Sequence, residues 1–262
     1  MKTSLIITTY NNPDYLQKVL DSVSLQKVMP NEVIIADDGS GIDTRILIDS
    51  FMKKSHVKIL HSWQEDKGFR AARSRNLAIS QSSGEYIILV DGDMLLDPRF
   101  VSDHIKHAKR GCFIQGSRVL LNNFLTNKIL NKNLEILKLN FFTKGLENRK
   151  NSIHSSVLSR VFSFNSKGFN GIRTCNMSFF REDFYSVNGF NNEIEGWGRE
   201  DSELVARLYN YGLMRFNLKF SAIQYHLFHA ENKRDNLQRN DEILKKTINN
   251  KSVKCRFGVN EF

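Results

Sequence analysis

Residues 86–93 read Tyr86-Ile87-Ile88-Leu89-Val90-Asp91-Gly92-Asp93, an apolar run that stops on two carboxylates flanking a glycine. With Glu85 in front, a run this short and this apolar reads as a strand buried on both faces. Three similar runs precede it. Ser4-Leu5-Ile6-Ile7-Thr8-Thr9-Tyr10 closes on Asn11-Asn12-Pro13, Glu32-Val33-Ile34-Ile35-Ala36 stops at Asp37-Asp38-Gly39-Ser40, and Val57-Lys58-Ile59-Leu60 follows. Between them, Leu16, Val19, Leu20 and Val23 recur at helical spacing behind Pro13-Asp14, where a helix should begin. Ile46, Leu47, Phe51 and Met52 mark a second helix, and residues 71–79 a third. Strands alternating with helices predict an α/β fold with a doubly wound, mostly parallel sheet. Ligands of such sheets bind beyond the carboxyl ends of the strands. The polar clusters 8–11, 37–40 and 91–93 all fall at such ends.

The rest of the chain changes character. Residues 118–165 are rich in Asn, Lys, Leu and Phe and are expected to form one or two amphipathic helices over the site. Residues 171–212 read as another compact unit, and 231–262 as a helix with a loose, polar and basic tail. The 262 residues, 40% hydrophobic and 25% charged, suffice for a buried core without disulfide staples. Cys112, Cys175 and Cys255 are far apart and odd in number, which fits a reducing compartment and suggests no Cys-rich zinc site. The apolar run at the N-terminus is too short for a signal peptide, and no stretch of about 18 apolar residues predicts a spanning helix. The expected location is therefore cytoplasmic. A net charge of +10 favours an anionic partner. Residues 118–160 hold eight Lys/Arg against Glu135 and Glu147, a local 8 − 2 = +6.

Three clusters carry chemistry. Asp91 and Asp93, one residue apart at a strand end, offer hard oxygen ligands for Mg²⁺ or Mn²⁺, and such a cation neutralises a diphosphate leaving group. Gly92 allows close backbone approach. In Gly196-Trp197-Gly198, an aromatic plane stands between two glycines with little steric cover, a surface on which sugars stack. Glu200 and Asp201 follow at the start of an apparent helix. The macrodipole alone would favour carboxylates there, but one beside a Trp can also take the proton of a sugar hydroxyl. His226 and His229, three residues apart, can share a metal, since the two aspartates cannot fill an octahedral shell alone. At the earlier strand ends, Asp38 suits hydrogen bonding to a nucleobase or ribose, and Thr8 and Tyr10 suit contact with both; a plain Asp-Gly turn and ordinary strand-end residues are the alternatives.

Taken together, these residues resemble glycosyltransferase family 2. Thr8-Thr9-Tyr10-Asn11, Asp37-Asp38-Gly39-Ser40, Asp66-Lys67-Gly68, Arg75-Asn76 and Asp91-Gly92-Asp93 stand in that family's order and spacing over roughly the first 117 residues. The second half is similar to the galactosyltransferase-type segment of β-1,4-galactosyltransferases and bacterial chondroitin polymerase modules, through Asn176-Met177-Ser178, Gly189-Phe190, Gly196-Trp197-Gly198 and Glu200-Asp201. The resemblance implies a GT-A fold. Residues 1–117 would bind the nucleotide-sugar, 118–230 would form the acceptor-binding and catalytic half, and 231–262 a C-terminal helix and tail. It assigns Thr8, Tyr10, Asp38, Asp66, Arg75, Asp91, Asp93 and Trp197 to a UDP-sugar donor. Trp197, Glu200 and Asn176 go to a saccharide acceptor, and Asp201 becomes the catalytic base with Glu200 beside it. Asp93 and a later Met-x-x-His would hold Mn²⁺ or Mg²⁺. Here His226 stands at the Met position and His229 at the His position, while Arg199 replaces a frequent Gly. The reaction implied is inverting transfer to a saccharide or lipid-linked acceptor in bacterial surface-polysaccharide or lipooligosaccharide synthesis.

Two rival readings fit less of the sequence. A nucleotidyltransferase would need a Gly-rich, basic loop after the first strand, and neither G-x-G-x-x-G nor G-x-x-x-x-G-K-[ST] occurs. A non-catalytic basic protein for nucleic acid or membranes leaves residues 91–93 and 196–201 unexplained. The basic stretch 118–160 is instead expected to touch the anionic inner face of the cytoplasmic membrane, or else to cover the site as a soluble lid.

Overall fold

A computed structural model describes residues 1–131, 139–230 and 235–262. The expected βα alternation is present as β1 (Thr3–Thr9), α1 (Pro13–Ser24), β2 (Glu32–Asp37), α2 (Ile42–Lys54), β3 (Lys58–Trp63), α3 (Ala71–Ser80) and β4 (Tyr86–Asp91). These four strands pair in parallel in the order β3-β2-β1-β4, with Thr8 level with Asp91 and Thr9 with Asp37. Alternate side chains serve opposite faces. Leu5, Ile7, Val33, Ile35, Ile88 and Val90 pack with Leu16, Val19 and Leu20 of α1. Ile6, Ile34, Ile87 and Leu89 pack on the other side with Ala72, Ala78 and Ile79 of α3. Burial on both faces is why these strands read as unbroken apolar runs.

After the glycine of residues 91–93 come β5 (Met94–Leu96), α4 (Phe100–His107), β6 (Cys112–Gln115), β7 (Val119–Leu121), α5 (Asn123–Asn131), β8 (Leu146–Glu147), α6 (Ser156–Phe162), β9 (Phe164–Ser166), β10 (Asn176–Phe180), α7 (Arg181–Ser186), α8 (Glu200–Tyr211), β11 (Met214–Asn217), β12 (Gln224–His226) and α9 (Leu237–Asn249). The main sheet continues β4-β10-β6-β11-β9, and a second sheet has the order β5-β12-β7-β8. β10 runs antiparallel between β4 and β6, so residues 171–212 are woven into the main sheet and do not form a separate unit.

Two other expectations need correction. Residues 118–165 hold helices α5 and α6, but also β7, β8 and β9, because Val119, Leu121 and Leu146 close a third apolar cluster with Leu125, Ile129 and Tyr225. Lys132, Glu135 and Lys138 of that basic stretch lie outside the described residues. The C-terminal segment forms the expected helix, though its first residues, 231–234, also lie outside the described residues. Its end is docked, not loose: Val259 is buried in the α3-side core and its N–H donates to the Asn188 carbonyl at 3.0 Å. Among the described residues, no helix is long and apolar enough to cross a membrane.

Two local devices position the site. Arg207 of α8 is fully buried; it pairs with Glu203 at 2.6 Å and donates to the Gly189 carbonyl, which ties the helix to the preceding turn. Gly39 has φ +100°, and a Cβ there would lie 2.5 Å from the Asp66 Cα. Gly39→Ala is therefore expected to cost about 2 kcal/mol or more, from left-handed backbone strain plus the clash. A urea midpoint unchanged from the unsubstituted protein would refute this packing.

Candidate functional site

Arg75 of α3 is the centre of the site. It is 5% exposed, and its guanidinium reaches two strand ends and one helix start. Nε donates to Thr8 Oγ1 and Nη2 to Asp91 Oδ1, each at 3.0 Å. Nη1, 3.9 Å from Asp201 Oδ1, is buried without a hydrogen-bond partner among the described residues. The Phe190 ring covers the guanidinium at 5.4 Å. Asp201, in the first turn of α8, is held from the other side: the Thr174 N–H and Oγ1 donate to its two oxygens at 3.0 and 2.6 Å. Its orientation is thus fixed by groups that leave a carboxylate lone pair available.

Glu200 precedes it, behind Arg199, whose φ of +79° lies in the region glycine favours. One Glu200 oxygen is inaccessible to water and unpartnered among the described residues. Burial first, and then the Asp201 charge, push its carboxyl up to about 7. A raised folded-state value means that the native protein holds a proton the unfolded chain has released. Stability therefore falls as pH rises from about 4.5 through 7. With allowance for partial exposure, Glu200→Gln should stabilise by about 2 kcal/mol at pH 8 and by almost nothing near pH 4.5. Melting temperatures at the two pH values check this, and an equal gain at both would contradict it.

The third group lies beyond β4. Asp93 Oδ2 stands 2.9 Å from His229 Nε2 and 3.3 Å from His226 Nε2, and the two imidazole nitrogens are 3.2 Å apart. β12 brings the histidines there: His226 pairs with Met94, and the Leu227 N–H donates to the Asp93 carbonyl at 3.0 Å. Asp93 Oδ1 is buried with no hydrogen-bond partner among the described residues. His229 Nδ1 donates to the Ala230 carbonyl at 2.7 Å, and Asp93 pushes the imidazole up to about 9, so without an ion Nε2 also holds a proton and donates it to Asp93; binding an ion there would release that proton. Burial alone would raise the Asp93 carboxyl, yet its hydrogen bonds to His226 and His229 hold it well below the usual range. The three ligand atoms lie within 4.8 Å of one another. One carboxylate and two imidazoles are a donor set for a divalent transition ion such as Mn²⁺.

The other strand ends carry the remaining donor-side candidates. Asp38, 3% exposed, accepts from the Arg70 N–H at 2.7 Å and from Gln64. Tyr10, 48% exposed, donates through its hydroxyl to Asp66 Oδ2 at 2.9 Å. Asp37, by contrast, is spent on the fold: it accepts from the Ser40 N–H and contacts His61, each at 2.8 Å. Trp197 is 36% exposed between Gly196 (φ +75°) and Gly198 (φ +105°), and the start of α9 packs against both glycines. Asn176, expected to touch the acceptor, has its side-chain amide engaged within the protein. It is 1% exposed; its Nδ2 donates to the Ser117 and Ala222 carbonyls and its Oδ1 faces His104 Nε2 at 3.0 Å. Its amide is spent on the fold. Thr174, which holds Asp201, was not among the candidates, because a single Thr outside any motif carries no sequence signal.

Residues 4–173 match the sequence profile of glycosyl transferase family 2. The chain belongs to that family. Residues 154–230 also match the profile described as the N-terminal domain of galactosyltransferase. In this family 2 chain the Asp93–His226–His229 group is therefore split, with Asp93 in the first matched segment and His226 and His229 in the second. Similar relatives include a hyaluronan synthase of Pasteurella multocida, 27% identical over 80% of this chain and 23% of the relative. A chondroitin synthase of Escherichia coli is 28% identical over 85% of this chain and 34% of its own length. The chain thus spans about a quarter to a half of the curated relatives it matches first. Among solved structures, residues 1–349 of Staphylococcus aureus TarS in complex with UDP superpose over 100% of this chain and 68% of that one, with a TM-score of 0.62 at 16% identity. That likeness confirms the α/β fold.

Proposed function

We propose that this family 2 chain transfers a hexose or N-acetylhexosamine from a UDP-sugar to a saccharide hydroxyl, with inversion at the anomeric carbon. The observation that carries the reading is the placement of Asp201 3.9 Å from the Arg75 that pairs with Asp91, with the Asp93–His226–His229 group just beyond the carboxyl end of β4. Asp201, fixed by Thr174, accepts the proton of the acceptor hydroxyl as that oxygen attacks. Glu200 and Trp197 receive the acceptor ring. Thr8, Tyr10, Asp38 and Asp66 line the cleft for the nucleoside, and Arg75 orients Asp91 toward the donor sugar. Asp93, His229 and His226 would hold Mn²⁺ or Mg²⁺, which supplies charge stabilisation to the departing diphosphate. Everything else is positioning in a site whose polar groups are already oriented.

UDP-galactose, UDP-N-acetylgalactosamine and UDP-N-acetylglucosamine are the donors this reading favours. The UDP complex of the TarS relative supports the nucleotide, and the hyaluronan and chondroitin synthase relatives support a role in polysaccharide synthesis. Residues 1–117 act as the donor half and 118–230 as the acceptor half, and within the C-terminal segment 231–262 Asn236 and Leu237 back residues 196–198. We also place the chain at the cytoplasmic face of the membrane. Val157, Val161, Phe162 and Phe164 on α6 and β9 stay more than half exposed beside Arg160, the composition of an interfacial contact. Flotation with anionic liposomes, lost at high salt, is the expected result; no flotation removes the membrane role and leaves the catalytic one. The catalytic reading is tested by thermal unfolding with UDP. A shift with Mn²⁺ that EDTA abolishes is expected, and no shift under either condition would refute UDP as the nucleotide.

A further inference from the structure

Behind Asp201 lies a cavity of about 280 Å³ that the donor site does not use. Arg118, Arg173, Arg215 and Lys219 line it, and no acidic residue does. Its remaining walls are amides, hydroxyls and glycine, with Leu120 and Cys175 as the apolar or weakly polar exceptions. Arg215 is committed to the fold: it donates to the Asn170 carbonyl at 3.0 Å and to Ser166 Oγ. Among the described residues, Lys219 Nζ reaches only Ser117 Oγ, at 3.5 Å. Burial, and then the Arg215 charge, lower the Lys219 ammonium below its ordinary range, the signature of cations crowded without a counter-charge. Arg173 is exposed and Arg118 half-buried, so both guanidinium groups remain available to a ligand.

The position of this cavity settles which substrate it would serve. Arg173 and Cys175 line it, and Thr174, between them, holds the Asp201 carboxylate. The group that takes the acceptor proton therefore stands one residue from the rim. The diphosphate would sit by Asp93, with His226 and His229, none of which lines this cavity.

We propose that this cavity is an acceptor subsite for a saccharide carrying an anionic group, a carboxylate or a phosphate, gripped by Arg118, Arg173 and Lys219. Guanidinium forks match both oxyanions, and the amide walls suit ring hydroxyls. This rests on the transferase reading above and adds that the acceptor is acidic.

The test measures binding to the whole chain without donor, by ligand-observed NMR titration. The probes are methyl β-D-glucuronide, methyl β-D-glucoside and glucose 6-phosphate. At least a tenfold tighter Kd for one of the anionic probes than for the glucoside is expected, and the tighter of the two names the group. Arg173→Gln and Lys219→Gln should each erase most of that preference and leave the glucoside unchanged. Arg173 is exposed, so its variant keeps the fold even if the Lys219 variant does not. Equal binding of all three probes, or a preference that survives Arg173→Gln with Lys219→Gln, overturns the proposal. Thermal shift by UDP and Mn²⁺ on the same sample separates the two claims. If it is present while the probes bind alike, the acidic acceptor fails and the transferase stands; if it is absent while the anionic preference holds, UDP as the nucleotide fails and the anion subsite stands.

Discussion

Asp201→Asn should lower turnover about a thousandfold while leaving the affinity for UDP within about twofold. The substitution keeps the shape of the side chain. Asn Oδ1 can still accept from the Thr174 N–H, and Asn Nδ2 can donate to Thr174 Oγ1, whose hydroxyl rotates to accept, so α8 should keep its place. What is lost is the lone pair that accepts the acceptor proton, an event of the transition state and not of nucleotide binding. Steady-state rates with a saccharide acceptor, set against UDP titration, separate the two. If both parameters fall together, Asp201 is not the base, and the Asn has disturbed the neighbouring Arg75 and Asp91.

Asp93→Ala should abolish metal-dependent UDP binding, a loss of more than about a hundredfold. Asp93 alone connects the end of β4 to both histidines, at 2.9 and 3.3 Å from their Nε2 atoms. Without it the site keeps two imidazoles and no anionic ligand, and the remaining buried space is too polar to collapse. Calorimetric titration of UDP with and without Mn²⁺ checks this. Retention of a Mn²⁺-dependent increment would mean that Asp91, now paired with Arg75 at 3.0 Å, holds the ion instead.

Strands β1, β2 and β4 were legible because both of their faces are buried, which leaves an unbroken apolar run with a polar stop. The middle of the chain was not. β7 and β8 span three and two residues, too short for any period to register, and β10 reads Asn-Met-Ser-Phe-Phe, with polar residues where a central strand is usually apolar. Those polar residues are satisfied internally. Asn176 and Ser178 flank His104, which hydrogen-bonds both, so a polar residue that looks functional is part of the core. Arg199 shows the opposite case. Its departure from glycine was visible in the sequence, but the backbone angle of +79° shows why glycine is favoured there. Asp93 and the two histidines stand more than a hundred residues apart; the resemblance paired them, and only the packing of β12 against β5 explains how they meet. The basic cavity could not be seen at all, because Arg118, Arg173 and Lys219 come from three separate connections between strands.

The most direct test of the central claim is release of UDP from a panel of UDP-sugars, with Mn²⁺ and with EDTA. The account predicts that one donor is hydrolysed slowly in the presence of Mn²⁺ and that EDTA stops it. Release of UDP from no donor under either condition would contradict it.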